Sequence, residues 1–373
     1  MDFEVLIVGA GPVGLVLAHE LAVQKVTCLV VDRVPAPAEY SRALVVHSRT
    51  QDLLERAGLR KAFLSASIEL RGMQMWRGGR EVGRIPFDLA NHPALSLPQQ
   101  ETESILRAAV SRQGVEVRWG AELTALAEDG EGVTATIAGA SLRVAYVVGC
   151  DGAHSAVRRL MGAQFEGDTL PETVWMADAR IDWEVTPAFA RQFLHDEGAL
   201  SAIPMPGGWW RLAAAADGPG QPGAAFFERL IRRRAGYPQA QVEVGWTSSF
   251  TVNCRLASTY RRGRLLLAGD AAHIHSPMGG QGMNIGMQDS FLVSEKLATV
   301  CRGADAVLLD TYEAERRPVA VAVIASNQRI TKLAMNRSPI GKLLRNRVLP
   351  LLLNIPAVSR RMGLEAASGG IRA

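Results

Sequence analysis

A mixed α/β chain is what the sequence predicts, with a Rossmann-like domain, an inserted antiparallel sheet and a C-terminal helical segment. Three stretches carry that expectation. The first is Glu4-Val-Leu-Ile-Val8, an apolar run suited to a parallel strand buried on both faces, followed at once by Gly9-Ala-Gly11-Pro-Val-Gly14. The second runs from Arg264 to Asn284. There a short apolar run stops at Gly269-Asp270, and a turn rich in glycine, Gly279-Gly280-Gln281-Gly282, opens a helix. The third is Trp175 to Trp183, where Trp175, Ala177, Ala179, Ile181 and Trp183 alternate with Asp178, Arg180 and Asp182, as in an antiparallel strand with one apolar face.

In chain order, the first strand passes through G-x-G-x-x-G into a helix over 15–24 and a second strand, 26–31, that ends in Asp32. In that setting Gly9 makes the turn, Gly11 lets a pyrophosphate approach the backbone, Gly14 lets helix and strand pack, and Asp32 binds an adenosine ribose. The glycines alone are a weak signal; between two strands and before an acid they predict dinucleotide binding. An NAD dehydrogenase would continue in regular βα units. Here a polar loop over 35–40 leads instead to Ser41-Arg42-Ala43 and a helix through about residue 57. Strand-like pieces follow at 73–76 and 81–87, then Leu97-Pro98-Gln99, a helix over about 101–113, and strands at 115–119 and 133–137. Ala145-Tyr-Val-Val-Gly-Cys150 delivers Asp151-Gly152-Ala-His-Ser155-Ala-Val-Arg158 into a further helix. Beyond the strand at 175–183, a hairpin is expected over 201–206 and 209–215, then a basic helix over 226–235 and a strand over 242–252. The helix behind the second glycine turn spans 283 to about 300, and its N-terminus would present free N–H groups and positive dipole to an anion.

Composition narrows the class. With 373 residues, 48% hydrophobic and 21% charged, the chain is ordinary globular protein long enough for two domains. No apolar run approaches the ~18 residues of a membrane span. The N-terminus enters a strand without a basic region or cleavage site, so no secretory leader is expected. Cys28, Cys150, Cys254 and Cys301 lack metal or redox spacing and read as free thiols of a reducing cytoplasm. From Asn327 onward nine arginines and lysines face one acid, Glu365, so the tail carries +8 of a chain whose net charge is +4, and the body is mildly acidic. That distribution argues against nucleic-acid binding by the whole chain.

The glycine motif, Asp151-Gly152-x-x-Ser155-x-Val157-Arg158, and Gly269-Asp270-Ala-Ala-His273 with Pro277 and Gly282 together resemble the FAD-dependent aromatic hydroxylases. These are single-component flavin monooxygenases of the p-hydroxybenzoate hydroxylase fold. Ser41-Arg42-Ala43, Leu97-Pro98-Gln99 and Tyr312-Glu313-x-Glu315-Arg316-Arg317-Pro318 fit the same pattern. The resemblance covers roughly residues 1–330 and is nearest to hydroxylases that tailor bacterial aromatic polyketides. It implies a discontinuous FAD-binding domain (1–70, 97–170 and 254–330), a substrate-binding layer (71–96 and 171–253) and a basic helical tail (331–373).

Residue by residue, the resemblance implies that Gly9, Gly11 and Gly14 bind the FAD pyrophosphate and Asp32 the adenosine ribose, with Arg33 beside it. Arg42 and Gln99 would meet the ribityl–phosphate portion and the flavin edge, and Leu123 the adenine through its backbone. Asp270 would hold the ribityl chain or pyrophosphate, while Gly280, Gln281, Gly282, Met283 and Asn284 would present N–H groups to the flavin N1/C2=O edge. Asp151 and Arg158 belong to a motif associated with FAD and with transient NADPH or NADH contact; the family has no second glycine motif for the nicotinamide. The implied reaction is hydroxylation of a phenolic or polycyclic, polyketide-type aromatic by a C4a-hydroperoxyflavin formed with O2. The flavin carries that chemistry, so no side chain is expected to be catalytic in its own right, and Pro277 and Arg42 are expected to position flavin or substrate. Epoxidation, Baeyer–Villiger oxidation, non-oxygenating redox chemistry and a flavin-binding regulatory module remain open on the same fold.

Candidate substrate contacts are Trp175, His195, Trp209, Arg211 and Pro277, although each tryptophan taken singly reads sooner as ordinary core. His273-x-His275 beside Asp270 invites a metal, but the family fills these positions without one and none is expected. The stretch from Ile340 to Asn354 is apolar with interleaved basic residues. It is expected to pack on the body, with contact to a membrane, an acidic carrier protein or a second subunit as the other readings. Many of the polyketide hydroxylases continue into a thioredoxin-like domain, and the expectation is a chain without it. The expected partners are a small aromatic substrate and O2, with no nucleic acid, in a cytoplasmic monomer or homodimer.

Overall fold

The computed structural model describes residues 2–40, 43–216, 218, 220, 222–336 and 338–368. The expectations for Ser41 and Arg42 lie outside the described residues.

The parallel sheet forms where apolar runs are densest. Phe3–Val8 pairs in parallel with Cys28–Val31 on one side and with Ala140–Gly149 on the other. Glu116–Arg118 and Leu265–Leu267 extend the sheet outward, also in parallel. Val5, Leu6, Ile7, Leu29, Val30, Val147 and Val148 are fully buried, as strands covered on both faces require. Helices Pro12–Val23 and Gly282–Cys301 pack on each other and share this core. Val133–Ile137 and Leu123–Glu128 add an antiparallel flap to Ala140–Gly149.

A second sheet of eight strands has Phe165–Ile181 as its spine, between Val242–Ala257 and Trp209–Ala215, both antiparallel. Leu200–Met205 and Phe189–Phe193 follow, and Gly72–Arg77 joins the latter in parallel, bringing Arg80–Pro86 to the edge. Two blocks far apart in sequence thus share one sheet. A small three-stranded sheet, Val45–Val46, Ala94–Ser96 and Ile68–Leu70, packs against Met205 and Ile203.

The alternation from 175 to 183 is half as expected. Trp175, Ala177, Ala179 and Trp183 enter one aromatic core with Phe193, Trp210, Phe226 and Phe227, where Trp183 meets Trp210 edge to face at 4.9 Å. On the opposite face Arg180 and Asp182 are exposed as expected, but the part nearer Met176 is not. Asp178 is 8% exposed and paired with Arg211, which lines a cavity together with Val174 and Met176. A second difference follows residue 43. Val45 and Val46 pair with Ser96 and Leu95, so the helix is confined to Ser48–Arg56.

The tail is helical throughout its described part: Asp310–Met335, Pro339–Leu343, a wider turn at Leu344–Val348, Leu349–Leu353 and Pro356–Ser368. Pro350 falls in the first turn of its helix, where no N–H is needed. The tail packs on the body: Leu353 joins Met75, Ile85 and Leu194 in one apolar cluster. Arg345 donates to the carbonyls of Ala334, Asn336 and His195, satisfying the end of the long helix.

Candidate functional site

The glycine turn divides its labour as steric logic requires. Gly9 has φ +111°, and a Cβ there would strike the Cys150 carbonyl; a Cβ on Gly14 would strike the Gly9 carbonyl. Gly11 is different, with nothing within 4 Å of its Cβ position. Its backbone faces the open space of a cavity of about 2320 Å³. It also borders a smaller cavity of about 270 Å³ lined by Asp32, Arg33, Leu123 and Asp151. Asp32 is fixed there by the N–H groups of Ala10 (2.7 Å) and Val34 (3.1 Å). Gln99 lines the large cavity and donates to Glu103 at 2.8 Å; burial pushes the Glu103 carboxyl up.

Asp151 caps the short helix Ala156–Leu160, its Oδ2 accepting from the Ala156 N–H at 2.6 Å, and burial raises its carboxyl. Arg158 is not in either cavity wall. Its guanidinium donates to the carbonyls of Ala271 (2.8 Å) and Ala153 (2.7 Å) and lies 3.7 Å from the Phe165 ring centre. It therefore braces the Asp270 turn.

That turn has a second support. Gly269, at φ +60°, donates its N–H to Asp289 at 3.1 Å, and Asp289 also holds His273 Nε2 at 2.7 Å and accepts from Arg316 Nε at 2.5 Å. Burial alone would raise the Asp289 carboxyl, but Arg316 and His273 hold it below the usual carboxylate range. Asp270 itself lines the large cavity.

The second glycine turn is held by side chains from elsewhere. Gly279 and Gly280 take φ +92° and +64°. His47 Nε2 meets the Gly279 carbonyl at 2.9 Å, Asn284 Oδ1 accepts the His47 N–H, and Asn284 Nδ2 donates to the carbonyls of Val45 and Gly280, each at 2.8 Å. Gln281 reaches the Ala366 carbonyl in the last helix at 2.8 Å. The helix Gly282–Cys301 starts without a side-chain cap, and Gly280, Gln281, Gly282 and Met283 line the cavity. Its N-terminus is therefore a free hydrogen-bond donor of positive dipole at the cavity wall.

The rest of the wall comes from the second sheet: Val174, Met176, Ile203, Arg211 and Ala213, with Met73 and Met75 beside them. Arg211 is there as expected, but its guanidinium is spent on a bidentate pair with Asp178, both bonds at 2.7 Å. Pro277 also lines the cavity. Three candidate substrate residues do not. Trp175 lies edge-on to Phe226 at 4.7 Å in the aromatic core, Trp209 packs beside the three-stranded sheet, and His195 gives its carbonyl to Arg345. His275 lines the cavity wall, and burial lowers its imidazole to about 4, while His47 is lowered by burial too. Among the described residues no group of His, Cys, Asp and Glu is placed to hold a metal ion.

His47 and Asp289 were not singled out from the sequence, and Arg316 was named only within the Tyr312–Pro318 pattern, without a role. The polar run Gln288-Asp289-Ser290 within an otherwise apolar helix was the available signal, because a buried charge needs a partner.

An open glycine turn after the first strand, an acid beyond the second and an uncapped helix at the far end of one cavity define a flavin-dinucleotide protein. The chain belongs to the FAD binding domain family, whose model matches residues 2–327. It is similar to a 12-dehydrotetracycline 5-monooxygenase/anhydrotetracycline 6-monooxygenase of Streptomyces rimosus subsp. rimosus, 36% identical over 395 residues that span 98% of this chain and 76% of that one. Among solved structures, anhydrotetracycline hydroxylase from Streptomyces rimosus superposes with a TM-score of 0.81 at 35% identity, covering 100% of this chain and 77% of the other. The p-nitrophenol 4-monooxygenase from Pseudomonas putida gives 0.87 at 25% identity, covering 100% and 99%. The protein is an FAD-dependent monooxygenase.

Proposed function

We propose that the chain hydroxylates a large polycyclic aromatic of polyketide type, using NADPH or NADH as reductant and O2 as co-substrate. The observation that carries this reading is the single cavity of about 2320 Å³ reaching from Gly11, past Asp270 and the Gly282 helix start, to the second sheet. That is more than twice the roughly 1,000 Å³ upper range of a drug-sized pocket, room for a dinucleotide and a multi-ring substrate together. The relatives named for tetracycline oxygenation support the substrate class.

The residues fit FAD. Gly11 leaves its backbone open, so a pyrophosphate could approach it; Asp32, Arg33 and Leu123 would hold the adenosine end, and Asp270 the ribityl portion. When bound, FAD supplies the activation of O2 and its transfer to an electron-rich ring. The chain supplies placement. The N-terminus of Gly282–Cys301 would offer N–H groups to negative charge on the flavin, and Pro277 would hold a rigid turn beside it. The apolar wall of Met73, Met75, Met176, Val174 and Ala213 excludes water above it.

The test is NADPH and NADH oxidation by the purified yellow protein, with and without a panel of multi-ring phenols. Stimulated oxidation with a product one oxygen heavier is expected. Flavin bound without stimulation by any phenol would remove the hydroxylase reading and leave the flavoprotein.

A further inference from the structure

Strand register gives the cavity side of the second sheet a chemical pattern. One row crosses five strands: Met75 stands beside Gln192, Gln192 beside Ser201, Ser201 beside Ala213, and Ala213 beside Met176. All five residues line the large cavity. At the adjoining positions the side chains turn the other way, and Phe193, Leu200 and Leu212 enter the aromatic core. Two residues from Ala213, Arg211 spends its charge on Asp178. Gln192 and Ser201 are thus the polar centre of an otherwise apolar row.

Their contact leaves one kind of group on offer. Ser201 Oγ lies 2.6 Å from Gln192 Oε1. That is an O–H···O length, shorter than N–H···O bonds usually are, so the serine donates to the amide oxygen and the amide nitrogen points away from it. Among the described residues nothing accepts from Gln192 Nε2, and that nitrogen is not sealed in the interior. Two N–H donors therefore stand in an apolar wall, oriented by Ser201. In a mostly apolar pocket the few polar groups set how a ligand lies. A keto or quinone oxygen on a flat ring system satisfies these donors, whereas a hydrocarbon edge in the same place leaves them unpaired.

We infer that Gln192, held by Ser201, is a specificity-determining residue that selects ring systems carrying an oxygen acceptor on the edge that lies against the sheet. The inference rests on the proposal of a polycyclic substrate and adds to it the substituent that the wall recognises.

The experiment titrates 2-hydroxyanthraquinone and 2-hydroxyanthracene, three-ring phenols that differ in their ring carbonyls, into the FAD-loaded oxidised protein and follows the flavin spectrum. Gln192→Met keeps the side-chain length and loses the amide. It should weaken the anthraquinone about tenfold and the anthracene by less than about twofold, with FAD content and unfolding midpoint unchanged. Gln192→Glu at pH 8, where the carboxylate only accepts, should weaken the anthraquinone at least as much. Ser201→Ala, which frees the amide to turn, should lose part of the same discrimination. Equal weakening of both compounds by Gln192→Met would make the residue a packing element and overturns the inference, as does unchanged binding of both. Failure of either compound to bind the FAD-loaded wild type would remove the polycyclic-substrate reading, and this inference with it.

Discussion

Gly11 shows how much one missing side chain decides. Its neighbours Gly9 and Gly14 are required by atoms of the protein, since a Cβ at either would strike a backbone carbonyl. Nothing in the protein requires Gly11, whose Cβ position is empty to 4 Å. On the proposed FAD reading, the constraint there would come from the pyrophosphate. Gly11→Val should therefore fold with a nearly unchanged unfolding midpoint in the flavin-free state, yet lose FAD affinity by at least about tenfold through steric exclusion of the pyrophosphate. Flavin titration of the variant checks this, and retained affinity would remove the phosphate-turn assignment. Gly9, Gly11, Asp32 and Asp270 were legible because each follows closely on a strand end, and Gly14 because it opens the helix behind the first of them, places where sequence pattern and backbone geometry coincide. His47 was not, because its partners Gly279 and Asn284 are more than 200 residues away and no local pattern joins them.

Between elements, the charged cluster of Asp289, Arg316 and His273 joins three segments. Asp289 lies on the helix that starts at Gly282, Arg316 on the long helix Asp310–Met335, and His273 beyond the Asp270 turn. All three are buried, so removing one partner leaves an uncompensated charge. Asp289→Ala should cost about 3–5 kcal/mol in urea unfolding, with Asp289→Asn costing less because it keeps hydrogen bonds to Gly269 and His273. Equal midpoints for wild type and Asp289→Ala would show that the pairing carries no stability. The strands were readable from apolar runs and alternation, as at 3–8 and 175–183. What alternation did not reveal is that Val174 and Met176 of Phe165–Ile181 line a cavity, and that Asp178 beside them is neutralised by Arg211 across neighbouring strands, a pairing set by register. The helix expected from 43 onward lost its first turn to pairing between Val45–Val46 and Ala94–Ser96, a long-range competitor that local propensity does not contain.

For the molecule as a whole, acid should be the weak side. His275 is lowered by burial from 6.5 to about 4, and His47 is lowered by the same cause. A histidine whose folded value lies below its unfolded one favours the neutral form in the folded state. Its contribution is complete above the unfolded value of 6.5 and is lost as pH falls from there through about 4. For His275 this amounts to roughly 3 kcal/mol at most. The thermal midpoint should drop across that window, and His275→Gln, which cannot titrate, should flatten the drop. An unaltered slope in the variant would assign the acid sensitivity to other groups.

The order of strands in the parallel sheet also sets a schedule for synthesis. Ala140–Gly149 is flanked by Phe3–Val8 on one side and by Leu265–Leu267 on the other. The strand that leads to Asp270 therefore leaves the ribosome long after the glycine turn it must face. A growing chain holds an incomplete flavin cradle, with its apolar edge uncovered, while the whole intervening antiparallel sheet is being made. Flavin capture is thus a late event in the life of the nascent protein, and the middle sheet must reach its own pairing before the cofactor can help hold the fold together.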